Sequence, residues 1–186
     1  MKHIADLFFE AGMLKQIPRS GYHFLGTGQE SVAEHTFMVV FIAWVMSRLL
    51  PEVDAARLMA MCLVHDLPEA RIGDLNTVQK RYVHADESRA TRDMIRDLPF
   101  GSSLAGLLEE FNAKDSPLAE LAHDADQLAF ILDLKAQMDM GRPAPAEWLP
   151  SVLKRLKTET GRILARGIQE TNRDDWWRKI LLTDPG

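Results

Sequence analysis

Residues 58–74 read Leu58-Met59-Ala60-Met61-Cys62-Leu63-Val64-His65-Asp66-Leu67-Pro68-Glu69-Ala70-Arg71-Ile72-Gly73-Asp74. The first seven are apolar and rich in Leu, Met and Ala, which favour helix. A helix that apolar is expected in a core. The His65-Asp66 pair at its end therefore falls at or beside buried ground. Burying a carboxylate is costly unless it is paired or ligates a metal. Imidazole beside carboxylate suits a borderline divalent cation. Glu69 follows His65 by four residues, so a continuing helix would put both on one face. Pro68 could instead open a distorted turn. Asp74, after Gly73, has a plain reading as a turn residue or cap.

Working outward, helical period dominates. Ile4, Leu7, Phe8 and Leu14 recur at helical spacing, and Pro18 closes that segment. Residues 19–29 are a glycine-rich loop. Ser31 and Glu34 have the spacing of a capping box, and an apolar helix follows to Leu50. Asp54 caps a helix expected from Ala55 to about Leu67. A polar surface helix is expected over 77–97, a short one over 102–111, and a long one from the Ser116 cap to Met140. The segment 141–145 breaks the pattern. A last long helix is expected from Trp148 to about Gln169, and a tail with Trp176 and Trp177 docks as a short helix. No run alternates with period two for long enough to be a strand. The expected fold is all-α, a single-domain bundle of six or more helices spanning 1–186. Residues 5–140 or so carry the motifs, and 145–186 supply C-terminal helices.

The 186 residues include one cysteine, Cys62, so an internal disulfide framework and a thiolate zinc site are both excluded. Any metal must sit on nitrogen and oxygen. Twenty-two basic against 27 acidic residues, net −5, argue against an extended nucleic-acid partner but not against a small anion held by local cations. The longest apolar run, 37–46, is far short of the roughly 20 residues of a membrane span. The first residues, interrupted by Asp6 and Glu10, do not read as a signal peptide. The cytoplasm is the default location.

Three further residues could join His65 and Asp66. His35 begins a very apolar helix, although alone it reads as a cap or core histidine. Asp124 and Asp126 flank the expected buried stripe Leu121, Ala125, Leu128 and Leu132 on opposite sides, so periodicity does not choose between them. His123-Asp124 also reads as a solvated helix face. His3, His23 and His84 lack a partner pattern.

Together, His35, His65-Asp66 and Asp126 resemble the H…HD…D signature of HD-domain metal-dependent phosphohydrolases. Ser31-Val32-Ala33-Glu34-His35 resembles the SVxEH start of the compact 5′-deoxynucleotidase-like branch. Residues 65–75 resemble its HDxxExxxGDL block, and Ile17-Pro18-Arg19-Ser20-Gly21-Tyr22 its arginine-and-aromatic entry loop. The resemblance selects Asp126, followed by Gln127 and Leu128, as the last ligand. Two departures are visible: Tyr22 stands where tryptophan is common, and residues 76–80 lack the prolines often found after Asp74.

The resemblance implies a helical HD fold, one divalent metal on His35, His65, Asp66 and Asp126, and hydrolysis of deoxynucleoside 5′-monophosphates by a metal-activated water. Two nitrogens and two carboxylates suit Mn, Co, Fe or Zn better than Mg. Glu69 and Asp74 are the implied proton-transfer residues. Arg19, Lys80 and Tyr22 are the implied substrate contacts, and Glu34 could accept an N–H from a ligand imidazole. Alternatives within the fold are hydrolysis of nucleoside triphosphates or other phosphate esters. A di-iron oxygenase would need further ligands at spacings that His84 and His123 do not supply. A non-catalytic metal or nucleotide binder would need neither Glu69 nor Asp74. A homodimer is a further expectation. The Trp176-Trp177 tail could form its contact, or could cover the chain's own bundle.

Overall fold

The computed structural model describes residues 1–183. Among them the chain forms α1 Lys2–Met13, α2 Tyr22–Leu25, α3 Val32–Leu49, α4 Ala55–Val64, α5 Glu69–Ile72, α6 Glu87–Ile95, α7 Gly101–Ala113, α8 Pro117–Asp139, α9 Pro145–Leu153, α10 Glu159–Glu170 and α11 Asp175–Thr183. There is no strand among these residues. One antiparallel bridge joins Pro18 to Ser31. The all-α expectation holds.

The core lies where α3 packs on α4 and α8, with α9 and α10 closing over α8. Val39, Ala43, Met46, Leu58, Met61, Leu128 and Ile131 are fully buried there. A smaller cluster of Leu14, Val32, Leu67, Met94, Leu104 and Leu108 seats the N-terminal segment on α6 and α7. The ten-residue apolar run understates α3: its 18 residues have a mean hydropathy of 1.4, long and apolar enough to cross a bilayer. In this fold, however, Val39, Ala43 and Met46 lie in the core between helices.

Three expected helices are cut short. The α4 helix stops at Val64, and residues 65–68 turn into α5 at Pro68. The expected helix over 77–97 is a 3-10 turn at Gln79–Arg81, a linker, and then α6. Asn76 Oδ1 accepts from the Val78 and Gln79 amides, and Asp86 caps α6 through the Arg89 amide. The expected helix from Trp148 to Gln169 is two helices. Thr158 caps α10 through the Gly161 amide, and Asp124 grips the connecting turn. Leu132 leaves the expected stripe of α8, being 36% exposed, while Ile131 and Leu134 are fully buried.

Candidate active site

Three helices deliver the central side chains. The capping box forms as expected: the Ser31 hydroxyl accepts from the Glu34 amide, and the Glu34 carboxylate accepts from the Ser31 amide. It starts α3 so that His35, one residue later, is 1% exposed. At the C-terminus of α4, His65 is 6% exposed. Its Nδ1 lies 2.7 Å from the Cys62 carbonyl. That carbonyl can only accept, so Nδ1 keeps a proton, and Nε2 is the nitrogen that can give up its own to a cation. Asp126 comes from the middle of α8. Its Oδ1 accepts from His35 Nε2 at 2.9 Å and its Oδ2 from the Gln127 amide at 2.7 Å.

One donor atom each from His35, His65 and Asp126 lies within 4.8 Å of the others. His65 Nε2, His35 Nδ1 and Glu69 Oε2 are buried without a hydrogen-bond partner. An imidazole fixed by a backbone carbonyl through one nitrogen, with the other left unpaired beside carboxylates, is the arrangement of a metal-binding histidine. Asp66 Oδ2 lies 3.1 Å from that same Nε2 and 3.5 Å from Arg19 Nη1. The donor set therefore fits a divalent cation on nitrogen and oxygen.

The electrostatics point the same way. Burial pushes the Glu69 carboxyl up, and the carboxylates of Asp66 and Asp74 add to it, bringing it to about 9. Burial works to lower His65, but the charges of Asp66 and Asp126 outweigh it and raise His65 to about 9. Burial likewise opposes ionisation of Asp126, yet His35, His65 and Arg19 hold it well below the usual carboxylate range. Four carboxylates on this small area create a negative field. Protons on His65 and Glu69, or a cation, answer it.

His65, Asp66, Glu69 and Asp126 line a cavity of about 640 Å³. Arg19, Asp74 and Lys80 also line it, and the Tyr22 ring forms part of its wall. Burial acts to lower Arg19, but the surrounding carboxylates, Asp126 first, raise it further. Asp74 Oδ2 accepts from the Ser20 amide at 2.7 Å and from its hydroxyl at 3.3 Å, which holds the entry loop in place. The Tyr22 hydroxyl donates to Asp133 at 2.6 Å. Lys80 is exposed at the mouth, on the 3-10 turn.

Two expectations need correction. The exposed Glu34 carboxylate spends itself on Ser31, at 2.7 and 2.8 Å, and does not reach an imidazole. The carboxylate beside His35 is Glu30, with Oε2 3.8 Å from Nδ1. Its only sequence signal was a carboxylate in the loop just before the cap. The His123-Asp124 pair is not a solvated face either. Asp124 is fully buried and accepts from the Lys157 and Thr158 amides, both at 2.8 Å, and from the Thr158 hydroxyl at 2.7 Å. His123 stacks on Phe111 with ring centroids 3.9 Å apart, and donates to its carbonyl. The structure thus brings Asp126, not Asp124, to the two histidines.

The HD domain family matches residues 11–168, most of the chain. The chain belongs to the HD-domain family. Relatives at modest identity carry a named activity, and a solved structure shares the fold. A 5′-deoxynucleotidase HDDC2 of Danio rerio is 29% identical over 184 residues, covering 88% of this chain and 91% of the relative. The human 5′-deoxynucleotidase HDDC2 is 27% identical over 135 residues, 69% of this chain and 65% of the relative. A solved structure, a conserved hypothetical protein from Pyrococcus furiosus, superposes with a TM-score of 0.76 at 28% identity, covering 90% of this chain and 99% of that one. For this HD-domain protein, membership implies a divalent metal, and the cluster of His35, His65 and Asp126 is the candidate place for it.

Proposed function

We propose that this HD-domain protein hydrolyses deoxynucleoside 5′-monophosphates to deoxynucleosides and orthophosphate. One observation carries the reading. The unpartnered His65 Nε2, with His35 and Asp126 beside it, sits on a cavity that also holds a buried, proton-retaining Glu69 and the cation Arg19. The relatives named above as 5′-deoxynucleotidases support the substrate class.

His35, His65, Asp66 and Asp126 would hold the divalent cation, and the mixed nitrogen and oxygen donors favour Mn, Co, Fe or Zn over Mg. Such an ion acidifies water and polarises the phosphoryl group. Arg19, beside Asp66, takes a phosphate oxygen, and Lys80 at the mouth adds a second positive charge. Glu69, whose carboxyl burial pushes up, donates its proton to the nucleoside O5′ as the P–O bond breaks. The incoming water supplies the oxygen and one proton to the phosphate product, and its second proton returns to the Glu69 carboxylate. Asp74 fixes Ser20, and with it Arg19, through one oxygen, and keeps the other for the sugar or the leaving group. Tyr22, tied to Asp133, holds the entry loop from behind.

The same reading places the protein in the cytoplasm, which fits a nucleotide substrate and a buried, unpaired Cys62. It also makes the protein a homodimer and one domain over its length. Supporting the dimer, Phe37, Phe41 and Trp44 form a stripe along α3 that is 68, 50 and 45% exposed, and Trp176 on α11 is 71% exposed. Light scattering on the eluting peak reads the dimer directly.

Orthophosphate release from a panel of nucleotides, with metal-stripped protein reloaded ion by ion, tests the activity. Deoxynucleoside monophosphates should lead. Triphosphates leading would transfer the reading to that substrate class. No release with any ion would leave a binding protein.

A further inference from the structure

The cavity has two unlike ends. One holds the charged groups described above. The other is aromatic, built by Phe130 of α8 and Trp148 of α9, with Phe24 of α2 at its rim. Phe130 lies one turn beyond Asp126 on α8, so it faces the same way at a rise of roughly 6 Å. That offset is on the scale of the pentose separating a phosphate from its base.

Trp148 is held from two sides. Its ring meets Phe130 edge-on, with centroids 6.1 Å apart and planes at 75°. Its Cζ3 stands 3.7 Å from where a Cβ on Gly21 would be, so α9 and the entry loop touch there. The ring is only half-buried and lines the cavity. Ser151 and Arg155 follow at helical spacing on the cavity side. Arg155 Nη1 donates to Gln127 Oε1 at 3.4 Å, and Gln127 in turn donates to Asp126. A hydrogen-bonded line therefore runs along the wall from the charged end to the rim, and the aromatic ring stands beside it. The Tyr22 ring, by contrast, is 8% exposed with its hydroxyl spent on Asp133, and offers little surface to a base.

We propose that Trp148, backed by Phe130, is the platform on which the substrate's nucleobase stacks, so that this residue of the C-terminal helices sets affinity for the base. The inference rests on the deoxynucleotidase reading. Stacking on an aromatic face accepts every base, because each has a π-face. All four deoxynucleotides use the platform, and purines gain more from it than pyrimidines.

The test compares dAMP with 2-deoxyribose 5-phosphate, which lacks the base, in wild type, Trp148→Leu and Trp148→Phe. Leucine keeps apolar packing and removes the π-face. Trp148→Leu should lower the ratio of kcat/KM for dAMP to that for the sugar phosphate about tenfold, through KM for dAMP. Trp148→Phe should recover most of it. The inhibition constant of deoxyadenosine should rise by a similar factor, while that of orthophosphate moves little. Phe130→Leu should act in the same direction with a smaller effect, and stands in if Trp148→Leu does not fold. An unchanged ratio, an equal loss on both substrates, or Trp148→Phe no better than Trp148→Leu overturns the platform alone. Wild type that hydrolyses 2-deoxyribose 5-phosphate as well as dAMP does the same. Wild type that hydrolyses no deoxynucleoside monophosphate removes the parent reading and the platform with it.

Discussion

Replacing Asp124 and Asp126 by alanine, one at a time, separates two carboxylates that stand two residues apart on α8. Asp124 is fully buried and accepts from two backbone amides in the turn between α9 and α10. The Thr158 hydroxyl that donates to it also caps α10. Asp124→Ala strips both amides of their acceptor. A donor left unpaired costs about 1–3 kcal/mol, or about 2–6 for the pair. Water reaching the part-buried turn satisfies some of that, so the lower half applies, about 2–4 kcal/mol. In a chain of this size each kcal/mol moves Tm by about 2–4 °C, which gives a loss of roughly 5–15 °C. Asp126 instead accepts from His35 and Gln127 in a field of like charges. His35, His65 and Arg19 favour its charge, so Asp126→Ala also costs stability in the metal-free protein, and metal content is the readout that separates the two variants. The assay pairs melting of chelator-treated protein with elemental analysis after reloading. Asp124→Ala should melt early and still take up metal at temperatures where it is folded. Asp126→Ala, measured at temperatures where it is folded, should hold less than about a tenth of the metal, since a primary ligand is gone. Asp124→Ala that melts with wild type and loses its metal, while Asp126→Ala retains it, would refute the assignment.

Three further outcomes follow from the geometry. In metal-stripped protein, folded Glu69 keeps its proton to about 9 but the unfolded chain releases it near 4.5, so stability should fall as pH rises through that window. His65, raised from 6.5 to about 9, adds a loss of the same sign that falls mostly above 6.5. Between pH 5 and 6.5 Glu30, also raised by burial, adds to this slope and His123, lowered by burial, opposes it, so the difference in urea midpoints between wild type and Glu69→Gln isolates Glu69; Glu69→Gln should make the slope less negative, and an unchanged slope counts against the protonated carboxyl. Gly28→Ala should destabilise by about 1–3 kcal/mol in urea unfolding. The Gly28 φ is +80°, and an added Cβ would lie 2.7 Å from both Gln137 Nε2 and the Tyr22 ring; a neutral result would mean that the loop relaxes freely. Burial, with Asp126 nearby, pushes the Cys62 thiol up, and the residue is fully buried. A thiol reagent should find no reactive group in the native protein and one after denaturation; fast native labelling would contradict this packing.

Much of the site was legible because short-range rules govern where its parts begin. The Ser31–Glu34 box could be read as a helix start, which placed His35 in its first turn. The apolar run before His65 marked that histidine as buried. Other features were not legible because they depend on partners distant in the chain. Glu34 and Glu30 are both carboxylates close to His35, and only the fold shows that the cap consumes Glu34 while Glu30 approaches the ring. The break between α9 and α10 hangs on Asp124, 33 and 34 residues away from the amides it binds.

By itself, the sequence determined the helical class, the cap that presents His35, the helix that ends in His65-Asp66 and the exclusion of thiolate chemistry. Those properties come from periodicity, capping and composition, which act over a few residues. Periodicity left the choice of aspartate open; the family resemblance selected Asp126, and the tertiary structure supplies the physical reason. Residues 124 and 126 are about 200° apart around a helix of 3.6 residues per turn, so the neighbours that α8 packs against set their different roles. It found α10 behind Asp124 and the His35–His65 pair beside Asp126. It also brought Trp148 over Gly21, a contact that local pattern does not encode.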